Sequence, residues 1–419
     1  MTTAKAKRVE YLGRKAVLLA NDEVQALVET VGGMMPEFGL RRGRGILNAH
    51  WLPDFRDNSG APFRADRHGA YWKAKLLYLI AGDFPCSPSF GRGCIVDGIE
   101  LPPHGWTANE EWTVEGLGVD EGSGAAWARF SLRSPAPAMP LSWTRYDLVL
   151  PGQPAYFTVM RITNSGQASQ AINVARHNTL GAPFLQAGCR IQLCAERFLA
   201  APSGTEFDDT GRLVPGAEFS SLATAPLRSG GTVDLGIVPG MVGWTDFVTG
   251  AVPSRLSLGW SCVVNLELRL AYICFFPGRA ALPPGEIALG FNDLWLQYGG
   301  RPFTPWALHE GGADRSFCLG TENAVGAFAN GLAYARSVPN ILDAPTTVEI
   351  PAGGQRTLYY GTALVGLDEA LVREGVTAIE AEQGALVLKG ARASQRVPVS
   401  ADFGAVRTLC ARLSPWNIA

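Results

Sequence analysis

The sequence predicts a mainly β protein, a large antiparallel β-sandwich with only a few short helices, and three observations carry that prediction. Apolar and polar residues alternate with period two in several short segments, glycine and proline separate those segments, and helical periodicity is scarce.

Alternation comes first, because successive side chains of a strand point to opposite faces and a half-buried strand therefore reads apolar, polar, apolar. Residues 264–270 show it most clearly, with Val264, Leu266, Leu268 and Leu270 interleaved by Asn265, Glu267 and Arg269. Residues 126–132, 155–163 and 357–365 repeat the pattern, each bounded by Gly, Pro, Asn or Ser. The 49 Gly and 28 Pro residues supply the sharp reversals that many short strands need. Helical signal is confined to residues 366–375, where Asp368 and Glu369 open the segment and Gly375 stops it, and to 323–334. Residues 50–70 and 200–217 lack period and read as long loops, the kind that shape binding sites.

A chain of 419 residues could hold two average domains, but large sandwiches often exceed roughly 200 residues as one unit. The expectation is a single domain over 1–419, with 366–419 either part of it or an appended element. Hydrophobic residues at 47% and charged residues at 18% provide a packed core. The net charge of −2, with Lys and Arg dispersed among acids, provides no basic footprint, so nucleic acid is not an expected partner. The most apolar stretch, 256–276, contains Asn265, Glu267 and Arg269, and no membrane span is expected. The first residues lack the apolar core of a signal peptide, which points to the cytoplasm. Eight cysteines without a Cys-x-x-Cys pair lie mostly in apolar runs, which suits buried reduced thiols better than disulfides or a metal site.

Two of the five histidines have pointed contexts. In Pro102-Pro103-His104-Gly105-Trp106 the prolines stiffen the approach, glycine removes bulk behind the imidazole, and an indole follows. In Arg176-His177-Asn178-Thr179 the imidazole ends a strand that starts near Gln170. A third element, Cys318-Leu319-Gly320-Thr321-Glu322, is an apolar strand ending on a carboxylate that partial burial would turn into a base near neutral pH. Each has a plainer reading: turn histidines satisfied by hydrogen bonds, and a Glu322 that caps a helix N-terminus. Arg92, between Gly91 and Gly93, is either a ligand contact or a solvated turn residue. The Pro-, Gly- and aromatic-rich run 80–91 is either a pocket wall, a partner surface or a rigid loop.

Taken in order, these elements resemble the aldose 1-epimerase, or galactose mutarotase-like, superfamily. Val31-Gly32-Gly33-Met34 resembles its early Gly-Gly turn, Pro103-His104-Gly105-Trp106 its His-Gly-aromatic motif, and His177-Asn178-Thr179 its second histidine motif. Leu319-Gly320-Thr321-Glu322, preceded by Leu294-Trp295, is similar to its late glutamate segment, and 350–357 to the turn before its closing strand. The resemblance implies the superfamily's broad sandwich and an isomerase that interconverts sugar anomers by general acid and base ring opening, with no metal or organic cofactor. Glu322 and His177 would be the catalytic pair. His104, Asn178, Arg92, one of Asp246 and Asp293, and the indoles of Trp106, Trp244 and Trp295 would contact substrate. Thr107, Ala108 and Asn109 stand where the sugar-phosphate branch has an arginine, Asn323 replaces the proline after the glutamate, and Leu180-Gly181 replaces an aromatic, which marks a divergent branch. The alternatives are a lyase or glycoside-cleaving enzyme on the same scaffold, or a non-catalytic sugar-binding protein. In each case the partner is a small-molecule carbohydrate. A homo-oligomer is compatible with all three.

Overall fold

In the computed structural model, which describes residues 4–413, two eight-stranded antiparallel sheets pack against one another. One, called here the backing sheet, runs in the order Arg190–Leu193, Leu258–Asn265, Leu270–Pro277, Gln355–Gly366, Ala155–Asn164, Leu141–Val149, Ala126–Arg133 and Thr113–Val119. The other, the site sheet, has Glu218–Phe219, Phe198–Ala200, Trp244–Ala251, Phe291–Tyr298, Cys318–Val325, Val174–Arg176 and Pro85–Cys86 side by side, with Thr179–Leu180 also pairing with Cys318–Val325. A five-stranded meander, from Lys5–Tyr11 to Gly45–Asn48, packs Val17, Leu19 and Phe38 into the same core as Phe130 and Leu132. Its turn at Gly32 and Gly33 needs glycine. Both have positive φ, and a Cβ on Gly32 would lie 2.5 Å from the Ala108 carbonyl oxygen.

A second hydrophobic cluster lies behind the backing sheet. Phe157, Ile273, Phe275 and Val365 face outward there and are covered by Leu386, Leu388, Phe403, Val406 and Leu409 of the C-terminal segment. That segment contributes the helix Glu369–Glu374, the strands Ala378–Glu382, Ala385–Lys389 and Ser394–Val397, and the helix Gly404–Leu413. Residues 414–419 lie outside the described residues. Each of those aliphatic and aromatic side chains is worth about 1.5–3 kcal/mol when fully buried, so the segment is part of what holds the backing sheet flat against its neighbours.

Because both its faces are covered, the centre of the backing sheet does not alternate: all eight residues of Leu270–Pro277 are buried. This corrects the reading of 264–270 as one strand. Residues 266–269 form the turn between Leu258–Asn265 and Leu270–Pro277, with the Asn265 side-chain oxygen accepting from the Leu268 N–H at 2.8 Å and Arg269 in the left-handed region at φ 53°. Residues 323–334 are likewise not a helix. Asn323 continues the strand Cys318–Val325, and the helix starts later, as Gly331–Ser337. The alternating runs at 126–132, 155–163 and 357–365 do form Ala126–Arg133, Ala155–Asn164 and Gln355–Gly366. Ala65–Trp72, at the end of the segment read as a loop, is helical. All eight cysteines are free thiols, seven of them buried.

Between the sheets runs a buried chain of polar side chains. His50 Nε2 meets the Tyr272 hydroxyl at 2.9 Å, Tyr272 donates to Asn178 Oδ1 at 3.0 Å, and Asn178 Nδ2 donates to the Tyr360 hydroxyl at 2.6 Å. Tyr360 donates to Asn323 Oδ1 at 2.5 Å, and Asn323 Nδ2 donates to Asn292 Oδ1 at 2.6 Å. Buried polar groups are tolerated only when paired, so this chain ties two strands of the site sheet, and the Asn178 connection beside them, to the backing sheet in one register.

Candidate functional site

Antiparallel register builds the site. Thr249 pairs with Asp293, and Asp293 with Glu322, across Trp244–Ala251, Phe291–Tyr298 and Cys318–Val325. Opposed residues share a face, so these three side chains form a row. His177 extends it: the strand Val174–Arg176 pairs Arg176 with Asn323, which sets the next residue opposite Glu322, and the His177 N–H donates to the Phe84 carbonyl at 3.0 Å. The residues in between, Asn178, Asn323 and Asn292, point the other way into the buried polar chain.

His177 Nε2 lies 3.2 Å from Glu322 Oε1 at the bottom of a cavity of about 270 Å³. Phe84 stacks on the imidazole at 4.4 Å, while His104 and Trp295 meet it edge-on at 4.8 and 5.7 Å. His104 has a left-handed backbone, φ 60°, a strained conformation of the kind that collects at functional sites, and its Nδ1 rests 3.3 Å from the Cys86 sulfur. The cavity walls bring in Arg92, Glu206, Phe207, Phe247, Arg301 and Trp306. The run 80–91 supplies Ile80 and Gly91 to the wall and Phe84 to the packing of the imidazole, and is pinned by an ion pair between Asp83 and Arg176, both buried.

Burial sets the protonation of this pair. It drives the His177 imidazole well below the ordinary histidine value, with the neighbouring His104 adding to the effect, and lowers His104 itself to about 3. It pushes the Glu322 carboxyl well above the ordinary glutamate value, helped by the charges of Asp293 and Glu206. Asp293 rises to about 7, because burial outweighs a Thr249 hydroxyl that lies within electrostatic reach but outside hydrogen-bond geometry. Burial therefore favours a neutral imidazole and a protonated acid, with one proton shared by the pair. With that proton on Glu322, the carboxyl donates to Nε2 at 3.2 Å and the ring proton lies on Nδ1, 2.9 Å from the Thr179 hydroxyl. The second carboxyl oxygen, Oε2, has no protein partner.

Of the residues singled out from the sequence, His104, His177, Glu322, Trp295 and Arg92 line this one cavity. Asp293 lies directly beside Glu322 in the row, buried and off the cavity wall. The others are placed elsewhere. Asn178 follows His177 in the chain and so faces the backing sheet. Asp246 accepts from the Arg212 and Leu213 N–H groups at 2.7 and 3.3 Å and from Arg212 Nε at 2.8 Å; it docks the loop that carries Glu206 and Phe207 rather than entering the cavity. Trp106 is in the sandwich core against Trp143. Trp244 is exposed, away from the cavity. Arg301 and Trp306 were not anticipated, although Gly299-Gly300-Arg301-Pro302 sets an arginine beside glycine, much as Gly91-Arg92-Gly93 does. Among the described residues no group of three or more His, Cys, Asp or Glu side chains could hold a metal ion, and no helix is long and apolar enough to cross a membrane.

Fold and site together define a galactose mutarotase-like β-sandwich with a histidine–glutamate pair at the base of an aromatic cavity. Solved structures share this architecture. A candidate aldose 1-epimerase from Klebsiella pneumoniae subsp. pneumoniae MGH 78578 superposes with a TM-score of 0.60 at 15% identity, over 86% of this chain and 81% of its own. A galactose mutarotase-like protein from Clostridium acetobutylicum gives 0.56 at 10% identity, over 87% and 99%. A candidate aldose 1-epimerase from Escherichia coli K12 gives 0.51 at 13% identity, over 87% and 100%. No protein-family model and no curated protein sequence matches the chain.

Proposed function

We propose that this protein is a divergent member of the aldose 1-epimerase superfamily that interconverts the anomers of a small carbohydrate in this cavity. The observation that carries the reading is the His177–Glu322 contact of 3.2 Å, buried beneath an aromatic enclosure with His104 edge-on to the imidazole. Such a pair, sharing one proton, suits ring opening in both directions. When the proton sits on His177, the imidazolium gives it to the ring oxygen while the Glu322 carboxylate takes the proton of the anomeric hydroxyl, breaking the ring C–O bond and leaving a free aldehyde. That leaves Glu322 protonated and His177 neutral. After the C1–C2 bond has turned, Glu322 returns its proton to the carbonyl oxygen as the ring hydroxyl attacks and His177 takes up the hydroxyl proton, closing the opposite anomer. Burial of the pair strengthens each of these charge interactions, and His104, edge-on to the imidazole, would steady the oxygen on which charge develops. The test is polarimetry or NMR on a freshly dissolved single anomer. Wild type speeds equilibration and Glu322→Gln, which cannot accept the proton, loses roughly 100-fold or more of that acceleration. Equal acceleration by the variant refutes the assignment. Thermal stabilisation by a sugar with no turnover supports a binding protein instead.

A further inference from the structure

We propose that the sugar this cavity takes is acidic, a ring bearing a carboxylate, and that Arg301 receives that group. The inference rests on the reading of the cavity as a carbohydrate site and specifies its substrate class.

Arg301 is buried, at 4% exposure, yet lines the cavity. Two glycines ahead of it, Gly299 and Gly300 at φ 89° and 95°, swing the chain inward, and the Arg301 N–H is fixed by Asp314 Oδ2 at 3.1 Å. The guanidinium lies over the Trp306 ring at 4.5 Å and over Trp295 at 5.7 Å. This holds its plane in place without using its N–H donors. Among the described residues only one acceptor reaches those donors, Glu206 Oε1 at a long 3.4 Å, from a side chain that is 59% exposed. An ion pair of that kind contributes little, and a buried cation with so loose a partner calls for a better one. The guanidinium fork matches a carboxylate with two parallel N–H···O bonds, a geometry that neutral hydroxyls do not reproduce.

The rest of the cavity agrees in sign. Arg92, on the rim, has no acidic partner among the described residues, and Lys73 is paired outward with Glu310 at 2.7 Å. The acids present are Glu206, which is exposed and reaches out from the rim, and Glu322, whose burial disfavours its charged form and which shares its proton with His177. Position agrees as well. The His177 imidazole and the Arg301 guanidinium both pack on the Trp295 indole, so a ligand with its anomeric carbon at the His177–Glu322 pair extends along that ring toward the guanidinium.

The test is calorimetric titration of wild type, Arg301→Gln and Arg301→Lys with matched ligands: galactose and galacturonate, glucose and glucuronate, and glucose 6-phosphate, with thermal melts to confirm that each variant is folded. Wild type is expected to bind a uronate at least about tenfold tighter than its neutral parent, an advantage that falls below about threefold in Arg301→Gln and is only partly kept by Arg301→Lys. Equal binding of the pair by wild type, an equal loss for both ligands in Arg301→Gln, tighter binding of the phosphate than of either uronate, or no binding of any of the five overturns the proposal. Binding is read without turnover, so the two readings fail separately. Arg301-dependent uronate binding with no anomer exchange removes the epimerase reading alone, and exchange of neutral sugars with no uronate preference removes this one alone.

Discussion

Replacing Asp293 with asparagine isolates the cost of the buried carboxyl row. Asp293 is 1% exposed, and neither of its carboxyl oxygens has a hydrogen-bond partner. Its folded-state value of about 7 stands above the ordinary 3.8. Between those two values the folded protein holds a proton that the unfolded chain has released, so stability falls as pH rises through the window and levels off above about 7. At about 1.4 kcal/mol per pH unit the full effect is on the order of 4 kcal/mol. An asparagine at this position would keep the shape of the protonated acid without the ability to ionise. Urea unfolding of wild type and Asp293→Asn, followed by tryptophan fluorescence at intervals from pH 4 to 8, should show the variant gaining on wild type as pH rises. The gap should open between about pH 4 and 7, reach a few kcal/mol, and then stay constant. Glu322 is pushed in the same direction and remains in both proteins, so the informative quantity is the difference between the two curves. Parallel curves across that window would mean that Asp293 is solvated or paired, and the account of the site's protonation would fail with it.

Other outcomes follow from individual contacts. Tyr360→Phe removes the hydroxyl that joins Asn178 to Asn323 and leaves both amides short of a partner, so urea unfolding should show a loss of about 1–3 kcal/mol; a neutral result would mean that the buried chain does not tie the sheets. Cys94 is the one half-buried thiol, so a disulfide exchange reagent should label a single cysteine of the native protein quickly, and Cys94→Ser should abolish that phase. Gly91→Ala places a Cβ 1.6 Å from the Ala329 carbonyl oxygen at φ 99°, which should lower the melting temperature sharply; a melt like that of wild type would show that this wall of the cavity gives way easily.

The parts of the site that were legible in the sequence are those where a local motif and its spatial role coincide. His104 and Glu322 stand beside small or rigid neighbours, His177 at the end of a strand, and each reaches the cavity. Motif reading failed one residue away from success. Asn178 and Asp246 adjoin His177 and Phe247, which do face the cavity, and the pleat sends adjacent side chains to opposite faces. Trp106 shows the complementary limit: an indole beside a motif histidine looks like a stacking platform until the sandwich core claims it. Arg301 follows a pair of glycines, but its meaning comes from Trp295, Trp306 and Glu206, none of which adjoins it in the chain.

By itself the sequence determined the class of fold, because period-two patterning and turn residues are local consequences of strand geometry, and it determined which histidines and which glutamate to watch. Tertiary structure alone decided that the most regular alternation, at 264–270, spans a turn at 266–269 and the ends of two fully buried strands, since burial on both faces erases the pattern that a half-exposed strand displays. It also decided the arrangement of the site. Register across strands distant in sequence places His177 against Glu322 with Asp293 beside it, and burial, rather than any one residue's identity, shifts their proton affinities.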